Sequence, residues 1–481
     1  MSAPGISPQP TTQESRAVRA VVRLGLVAFV LTSVFGVTYP YTLEPYEGTV
    51  LLPALASGET IYGPEALLKP PFLWAAYGPT FYLMTGVVMK AVGASFWPGR
   101  LLSLLATLGT AAFIFSSVQR VCGSRMAAFV GSGIFIRLPT TWAFGALSRV
   151  DALGLFFATA ALSLALAARG RWAFLAGCAA SLAFLTKPTL IAATVALGLS
   201  LLLRKEVRAF LVFAAGGIST ACIVASCLHW SGNDGYWTAQ LLNSRVPFAA
   251  SSAIGIFRGF AQNYVVLTAT ALFLLGRRPN GRVGTLVGSF LCVSGVLAAL
   301  TSAKVGASLN YYCEFGVAIA FSAAFGFAAI ESHHDRAAMR LPAGLVAISL
   351  LGQLLVYYPS YVQGRILLPS RKRAHYGEVI RRIQEQVPLD GTVGGEYPEL
   401  ALLAGRQVTL NDWAMFVLGP GPVQRILEES ISRRTVDAWV MSGEASLPGY
   451  ALSGGGFEDA GSISGIYFRG PLLYVRAEPR P

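Results

Sequence analysis

Charged residues are scarce in this chain. Only 13% of its 481 residues are Asp, Glu, Lys or Arg, about half the share a soluble globular protein carries. That shortage excludes an ordinary water-soluble fold for most of the chain. The apolar residues, 54% of the total, instead fall in runs long enough to cross a bilayer core of about 30 Å. Cysteine is sparse too. Of six, Cys178, Cys222, Cys227 and Cys292 lie inside apolar runs, where they read as small hydrophobes and exclude a disulfide framework. No His/Cys spacing reads as a zinc site, and no strand–GxGxxG–helix arrangement marks a nucleotide site. No internal repeat is visible. The first apolar run (Val21 to Val37) follows Arg16 and Arg19 and lacks a small-x-small cleavage signal, so it reads as a retained anchor.

The net charge is +13, but the basic residues punctuate the apolar runs and form no single patch. That is the positive-inside pattern, not a nucleic-acid footprint. Apolar runs fall near 21–38, 97–117, 126–146, 151–168, 172–186, 188–203, 209–228, 260–276, 283–302, 312–330 and 341–358. A further run, 77–92, is short, opens on aromatics and carries Lys90. If it crossed, every later basic cluster would change sides. Placed in the interface, it puts Arg120/Arg125, Arg169/Arg171, Arg204/Lys205/Arg208, Arg277/Arg278/Arg282 and Arg336/Arg340 on the same side as Arg16, Arg19 and Arg23. The second assignment is preferred.

The expected architecture is an α-helical polytopic membrane protein with about eleven transmembrane helices and a small C-terminal α/β soluble domain. The bounds are a disordered cytoplasmic tail (1–20), a transmembrane domain (21–358) with a long first extracytoplasmic loop (39–96), and an extracytoplasmic soluble domain (359–481). The tail opens on a basic amphipathic helix, LLPSRKRAHYGEVIRRIQEQV. It continues through strand-like TVGGE, QVTLND, DAWVMSG and GIYFRGPLLYVRAE, with glycines 454–456 read as a turn.

This topology gathers the polar segments on one face. Glu44 and Glu47 follow the first span, where partial desolvation favours a carboxylate acting as base. A solvated loop acid is the bland alternative. They share the first loop with Lys69, which precedes Pro70-Pro71, and with the aromatics Tyr77 and Tyr82. Arg149 and Asp151 sit at the start of another span, as a cap-and-pair or as a site. Lys187, before Pro188, either snorkels or meets a phosphate headgroup. Lys304, Asn310, Tyr311 and Glu314 form a turn bearing a cation, an amide and an acid. Together these supply bases for an acceptor hydroxyl and cations for a leaving phosphate.

On YEGTVLLPALASGETIY, KPPFLWAAYGPTFYLMTGVVMKAVGASFWPGRLLSLLAT, SRVDALGLFFATAAL, FLTKPT and GASLNYYCE, the chain resembles the GT-C-type membrane glycosyltransferases that use polyprenyl-phosphate sugars. These include dolichyl-phosphate-mannose mannosyltransferases and aminoarabinose transferases. The resemblance covers most of residues 39–315. It implies Glu47, in Glu47-Gly48, as general base and Asp151 as the second acid. Tyr46 stands where the paired form has Asp, which weakens the case for a metal held by two adjacent acids. No metal site or cofactor is therefore expected; a divalent cation is allowed but not indicated. Lys69 matches the Lys-Pro-Pro of the aminoarabinose-type relatives, where the Lys contacts carrier phosphate. Glu47 and Asp151 with Glu44 are then the catalytic candidates. Lys69, Arg149, Lys187, Tyr77, Tyr82, Lys304, Asn310 and Tyr311 are the substrate-binding ones. The expected partners are a polyprenyl-phosphate-linked sugar donor, a glycan, lipid or protein acceptor, and the bilayer of the cytoplasmic membrane. The rival readings are a lipid or glycan transporter and a non-catalytic GT-C relative in a polysaccharide assembly complex. A transporter would show inverted repeats and ionisable groups at mid-span.

Overall fold

The computed structural model describes residues 13–44, 46–56, 60–62, 75–167, 171–244, 247–276, 281–304, 306–331 and 336–409. Of the tail beyond these, it describes 425, 428–430, 432–433, 435–441, 450–455 and 471–477. Ten of the eleven apolar runs fall mainly in one helix each, and the run 126–146 falls in two. They are α1 (Gln13–Thr38), then, after the loop helices α2 (Tyr46–Leu55) and α3 (Pro79–Val92), α4 (Trp97–Cys122), α5 (Arg125–Arg137) with α6 (Pro139–Phe144), and α7 (Val150–Ala167). They continue through α8 (Arg171–Thr186), α9 (Ala192–Leu203), α10 (Val207–Trp230) and, past α11 (Tyr236–Ser244), α12 (Ala250–Leu275). The last are α13 (Arg282–Thr301), α14 (Cys313–Glu331) after a 3-10 turn at Leu309–Tyr312, and α15 (Arg336–Val362). Among the described residues, six helices are long and apolar enough to cross a membrane alone, and three apolar ones are shorter. α1 starts inside the stretch read as a disordered tail.

Local chemistry sets the breaks. Run 126–146 splits at Leu138 because Pro139 cannot extend α5 and instead opens α6. The break leaves Arg137, a cation the sequence reading passed over, buried within the bundle. Its Nη1 and Nη2 donate to the carbonyls of Leu350 (3.1 Å) and Val21 (2.7 Å).

α14 is the central helix. Its apolar window is 94% buried, against 17% for the equally apolar α10, so hydropathy does not separate core from lipid face. Small residues do, since they let backbones approach. A Cβ on Gly326 would lie 2.3 Å from the backbone of Leu274 on α12, and one on Gly131 of α5 would meet Ala324 at 2.8 Å.

Past α15 the chain makes a π-turn (Gln363–Leu367) and enters α16 (Leu368–Gln386), the amphipathic helix expected there. Then come β1 (Thr392–Gly395), α17 (Pro398–Leu403), β2 (Gln407–Val408), β3 (Ala438–Met441), β4 (Tyr450–Gly455) and β5 (Leu472–Arg476). They form one mixed sheet of order β2-β1-β3-β5-β4, with β1 parallel to β2 and β3, and β5 antiparallel to β3 and β4. The turn expected at glycines 454–456 is corrected: Gly454 and Gly455 pair with Leu473 and Leu472 past a register shift. The shift explains why the run lacks clean alternation.

The tail closes over the first loop. The Tyr39 hydroxyl donates to the Pro369 carbonyl at 2.8 Å, and the Tyr41 and Tyr376 rings lie 5.6 Å apart. Glu399 of α17 sits against Gly48 of α2, where a Cβ would come within 2.2 Å of its carboxylate.

Candidate active site

Five segments meet at the end of the bundle that carries the first loop: residues 39–47, the start of α4, the junction 147–151, the turn at 187–190 and the stretch 308–314. Three of their acids sit in the first turn of a helix: Glu47 on α2, Asp151 on α7 and Glu314 on α14. Carboxylates are favoured there by the helix dipole. Arg100 breaks that rule, a cation in the first turn of α4, and its placement is explained only by a specific partner.

That partner is Glu47. Arg100 Nε and Nη2 reach Glu47 Oε1 and Oε2 at 2.8 and 2.7 Å, a bidentate pair in which both side chains are fully buried. The carboxylate also accepts the backbone N–H of Leu43 (2.8 Å) and of Ser148 (2.7 Å). Arg100 donates in turn to the carbonyls of Gly36 (2.9 Å), Tyr39 (2.5 Å) and Tyr41 (2.6 Å). Burial alone would raise the Glu47 pKa, but Arg100 and the two amides hold it below the usual carboxylate range. The sequence reading takes Glu47 as the base, and this geometry bears on that role. Both oxygens are saturated, the group is shut off from solvent, and its low basicity suits a brace tying the first loop to α4 and the 147–148 junction.

Asp151 is the hub of the second cluster. Its Oδ1 accepts from Lys187 Nζ (2.5 Å) and Asn310 Nδ2 (3.0 Å), and its Oδ2 from Arg149 Nε (3.1 Å). Arg149 Nη1 reaches on to Glu44 Oε1 at 3.0 Å. Its guanidinium lies 5.1 Å from the Phe144 ring centroid and 5.5 Å from that of Tyr46. The Tyr46 ring thus packs against the cation. Lys187 Nζ lies 5.2 Å from the Tyr311 ring centroid. Burial pushes the Tyr77 phenol up to about 12, against the pull of Arg149 and Lys187, so Tyr77 stays a protonated hydroxyl beside the cluster.

Glu44 differs from both other acids. Its side chain is 22% exposed, and its Oε2 accepts no hydrogen bond among the described residues. Desolvation raises its pKa, opposed by Arg149 and aided by the charge of Glu47.

Of the other sequence candidates, Tyr82 is buried and its hydroxyl accepts the Tyr77 N–H at 3.3 Å, a structural contact. Lys304 is not among the partners of Asp151 or Glu44; its backbone bridges to Phe248. Glu314 accepts the N–H groups of Ala192 (3.0 Å) and Ala193 (2.8 Å) and so caps α9. Lys69 lies outside the described residues. No group of three His, Cys, Asp or Glu among the described residues could hold a metal. The 13–44, 75–167 and 336–409 stretches add two cations that sequence reasoning missed at this end, Arg100 and Arg365.

The helix α3 is seated on this site by Gly78, whose N–H donates to the Thr186 carbonyl at 3.2 Å. A Cβ there would fall 1.7 Å from the Leu185 carbonyl oxygen, so Gly78→Ala must push α3 away from the 185–187 turn. We expect a melting-temperature loss equivalent to about 1–3 kcal/mol, the usual cost of overpacking, readable by thermal shift in detergent. An unchanged melting temperature would contradict this packing.

Residues 76–230 match the model of the family Dolichyl-phosphate-mannose-protein mannosyltransferase. No curated protein sequence matches the chain. Among solved structures, ArnT from Cupriavidus metallidurans bound to undecaprenyl phosphate is similar at 13% identity and a TM-score of 0.62, covering 96% of this chain and 99% of that one. The apo state of the same protein gives 12% and 0.63, covering 96% and 98%. The oligosaccharyltransferase AglB from Archaeoglobus fulgidus, in complex with an inhibitory peptide and a dolichol-phosphate, gives 11% and 0.51, covering 87% of this chain and 69% of that one. The chain has the GT-C fold. In GT-C terms, the matched segment runs from the start of α3 through α10 and contains Arg100, Arg149, Asp151 and Lys187.

Proposed function

We propose that this protein transfers a sugar from a polyprenyl-phosphate carrier to an acceptor hydroxyl, at the outer face of the cytoplasmic membrane. The observation that carries the proposal is the juxtaposition of Glu44, with an oxygen free of hydrogen bonds, and the Arg149–Asp151–Lys187 cluster, inside a GT-C fold. Glu44 takes the proton of the acceptor hydroxyl, and the acceptor oxygen bonds to the sugar's anomeric carbon. The bond from that carbon to the phosphate oxygen breaks, and the electron pair leaves with polyprenyl phosphate. Attack opposite the leaving group inverts the anomeric centre. Lys187 and Arg149 meet the charge that grows on the phosphate. Asp151 keeps both cations charged and aimed, and Asn310 fixes Asp151.

The test is direct. Purified protein given a polyprenyl-phosphate sugar releases polyprenyl phosphate; no release with any carrier sugar, together with substrate movement across vesicles, would favour a transporter.

The pH dependence follows from Glu44. Only its deprotonated form is a base, and burial raises its pKa, so kcat/KM falls on acidification at a pH above the usual Glu value of about 4.3. An acid limb at or below that value would point to another base.

A further inference from the structure

Past the end of α10 (Val207–Trp230) the chain turns at Gly232, whose φ of 72° is left-handed. The Gly232 N–H donates to the His229 carbonyl (3.0 Å), and the Asn233 N–H reaches back to the Leu228 carbonyl (2.8 Å). That pair of bonds is a Schellman closure, and it fixes the backbone of Asn233. The Asn233 side chain is held as well: the residue is 4% exposed, and its Nδ2 donates to the Ser231 carbonyl (3.1 Å) and hydroxyl (3.2 Å). A carboxamide anchored in this way is a rigid acceptor. Its Oδ1 takes the N–H groups of Ile61 (2.8 Å) and Tyr62 (3.2 Å), 172 and 171 residues away along the chain.

Tyr62 carries the tie onward. Its buried ring meets Tyr236 edge to face at 5.1 Å, and its hydroxyl donates to the Tyr77 carbonyl at 2.8 Å. The Tyr77 N–H donates in turn to the Tyr82 hydroxyl (3.3 Å). The next residues are fastened to the far wall of the site. The Gly78 N–H donates to the Thr186 carbonyl and the Thr80 hydroxyl to that of Leu185, each at 3.2 Å, immediately before Lys187. Both backbone polar groups of Tyr77 are therefore engaged, and its place beside the Lys187 turn is set from both sides. Its phenol lies in the field of Lys187, Arg149, Asp151 and Tyr311. A neutral hydroxyl has a use there that a third cation lacks. It adds a hydrogen bond to an anion without adding a charge that Asp151 must offset.

We propose that Tyr77 is a further binding residue for the carrier phosphate, its hydroxyl donating to a phosphate oxygen beside Lys187 and Arg149, and that Tyr62 and Asn233 are positioning residues that aim it. The leaving-group role of that phosphate rests on the glycosyl-transfer reading; its binding does not.

The full-length protein in phosphatidylcholine nanodiscs is titrated with undecaprenyl phosphate by native mass spectrometry, and a melting temperature is read on every variant. Tyr77→Phe keeps the ring and both backbone bonds but loses the donor. It weakens binding about tenfold or more, the size of one hydrogen bond to a charged group, at an unchanged melting temperature. Tyr62→Phe keeps its ring packing but releases the Tyr77 carbonyl, so it weakens binding by a smaller factor. In the Tyr77→Phe background the same change costs nothing further, because the group it aims is gone. Asn233→Ala gives a second cycle with the same expectation, so a poorly folded Tyr62→Phe leaves the test intact. Binding by Tyr77→Phe equal to wild type overturns the phosphate contact, and a Tyr62 or Asn233 effect of the same size in both backgrounds overturns the aiming role. Single-turnover release keeps the two readings apart. Tyr77-dependent binding without turnover on any carrier sugar sinks the transfer reading and leaves the phosphate contact standing. Turnover with Tyr77-independent binding does the reverse.

Discussion

Glu44→Gln lowers the rate of polyprenyl-phosphate release by about 10²–10⁴-fold, the usual contribution of a positioned general base, with little change in melting temperature. Gln is nearly isosteric, and its amide oxygen still accepts from Arg149 Nη1, so the ion network loses one charge but no hydrogen bond. The site is also partly exposed, which limits the cost of leaving Arg149 with Asp151 alone. Glu47→Gln is expected to behave in the opposite way. It leaves a fully buried guanidinium without its carboxylate, and it loses stability before it loses chemistry. Single-turnover rates on folded protein, read beside melting temperatures, separate the two. A Glu44→Gln variant that turns over normally would remove Glu44 as base, and a Glu47→Gln variant that is stable but inert would restore the role to Glu47.

Why the sequence pointed to Glu47 is instructive. Glu-Gly after a first span is a local motif, and local motifs carry no information about what comes back from far along the chain. Arg100 returns from 53 residues away and the Ser148 N–H from 101. These contacts make Glu47 a brace in this geometry, whatever its part in the chemistry. By contrast, the Arg149–Asp151 pair and its neighbour Lys187 were legible because each stands at a helix boundary where an ionisable group is conspicuous against apolar residues. The helices themselves were legible because lipid demands long apolar runs. The strand at Tyr450–Gly455 was not, since a shift in register hides its period. Arg365 escaped notice because it lies past the last apolar run, in a segment that reads as ordinary solvated tail. It sits in the π-turn and donates to the Ala143 carbonyl of α6.

Arg100→Met should be the most damaging single change for the fold. It removes the counter-charge of Glu47 and the donor for the carbonyls of Gly36, Tyr39 and Tyr41 at once. Breaking one side of a buried pair costs about 3–5 kcal/mol, a large part of a typical protein's margin of about 5–15 kcal/mol. The loss falls on the first loop, because Arg100 joins its two ends to α4, so protease sensitivity should appear between Thr38 and Tyr46 before the bundle melts. Pairing the change with Glu47→Gln tests the cause. Gln carries no charge and its single oxygen accepts one of the Leu43 and Ser148 amides, not both, so the double variant should recover part of the loss. If Glu47 in the single variant is instead protonated at modest cost, recovery will be small, and the single variant will stabilise as pH falls, because acid then discharges its unpaired carboxylate. The wild type behaves in reverse. Its Glu47 is held below the usual carboxylate range, so the pair stabilises the fold above the unfolded-state pKa of about 4.3, and that stability is lost as pH falls through the folded value. Opposite pH slopes for wild type and Arg100→Met are the expected signature, and parallel slopes would show that the Glu47–Arg100 pair does not hold this loop.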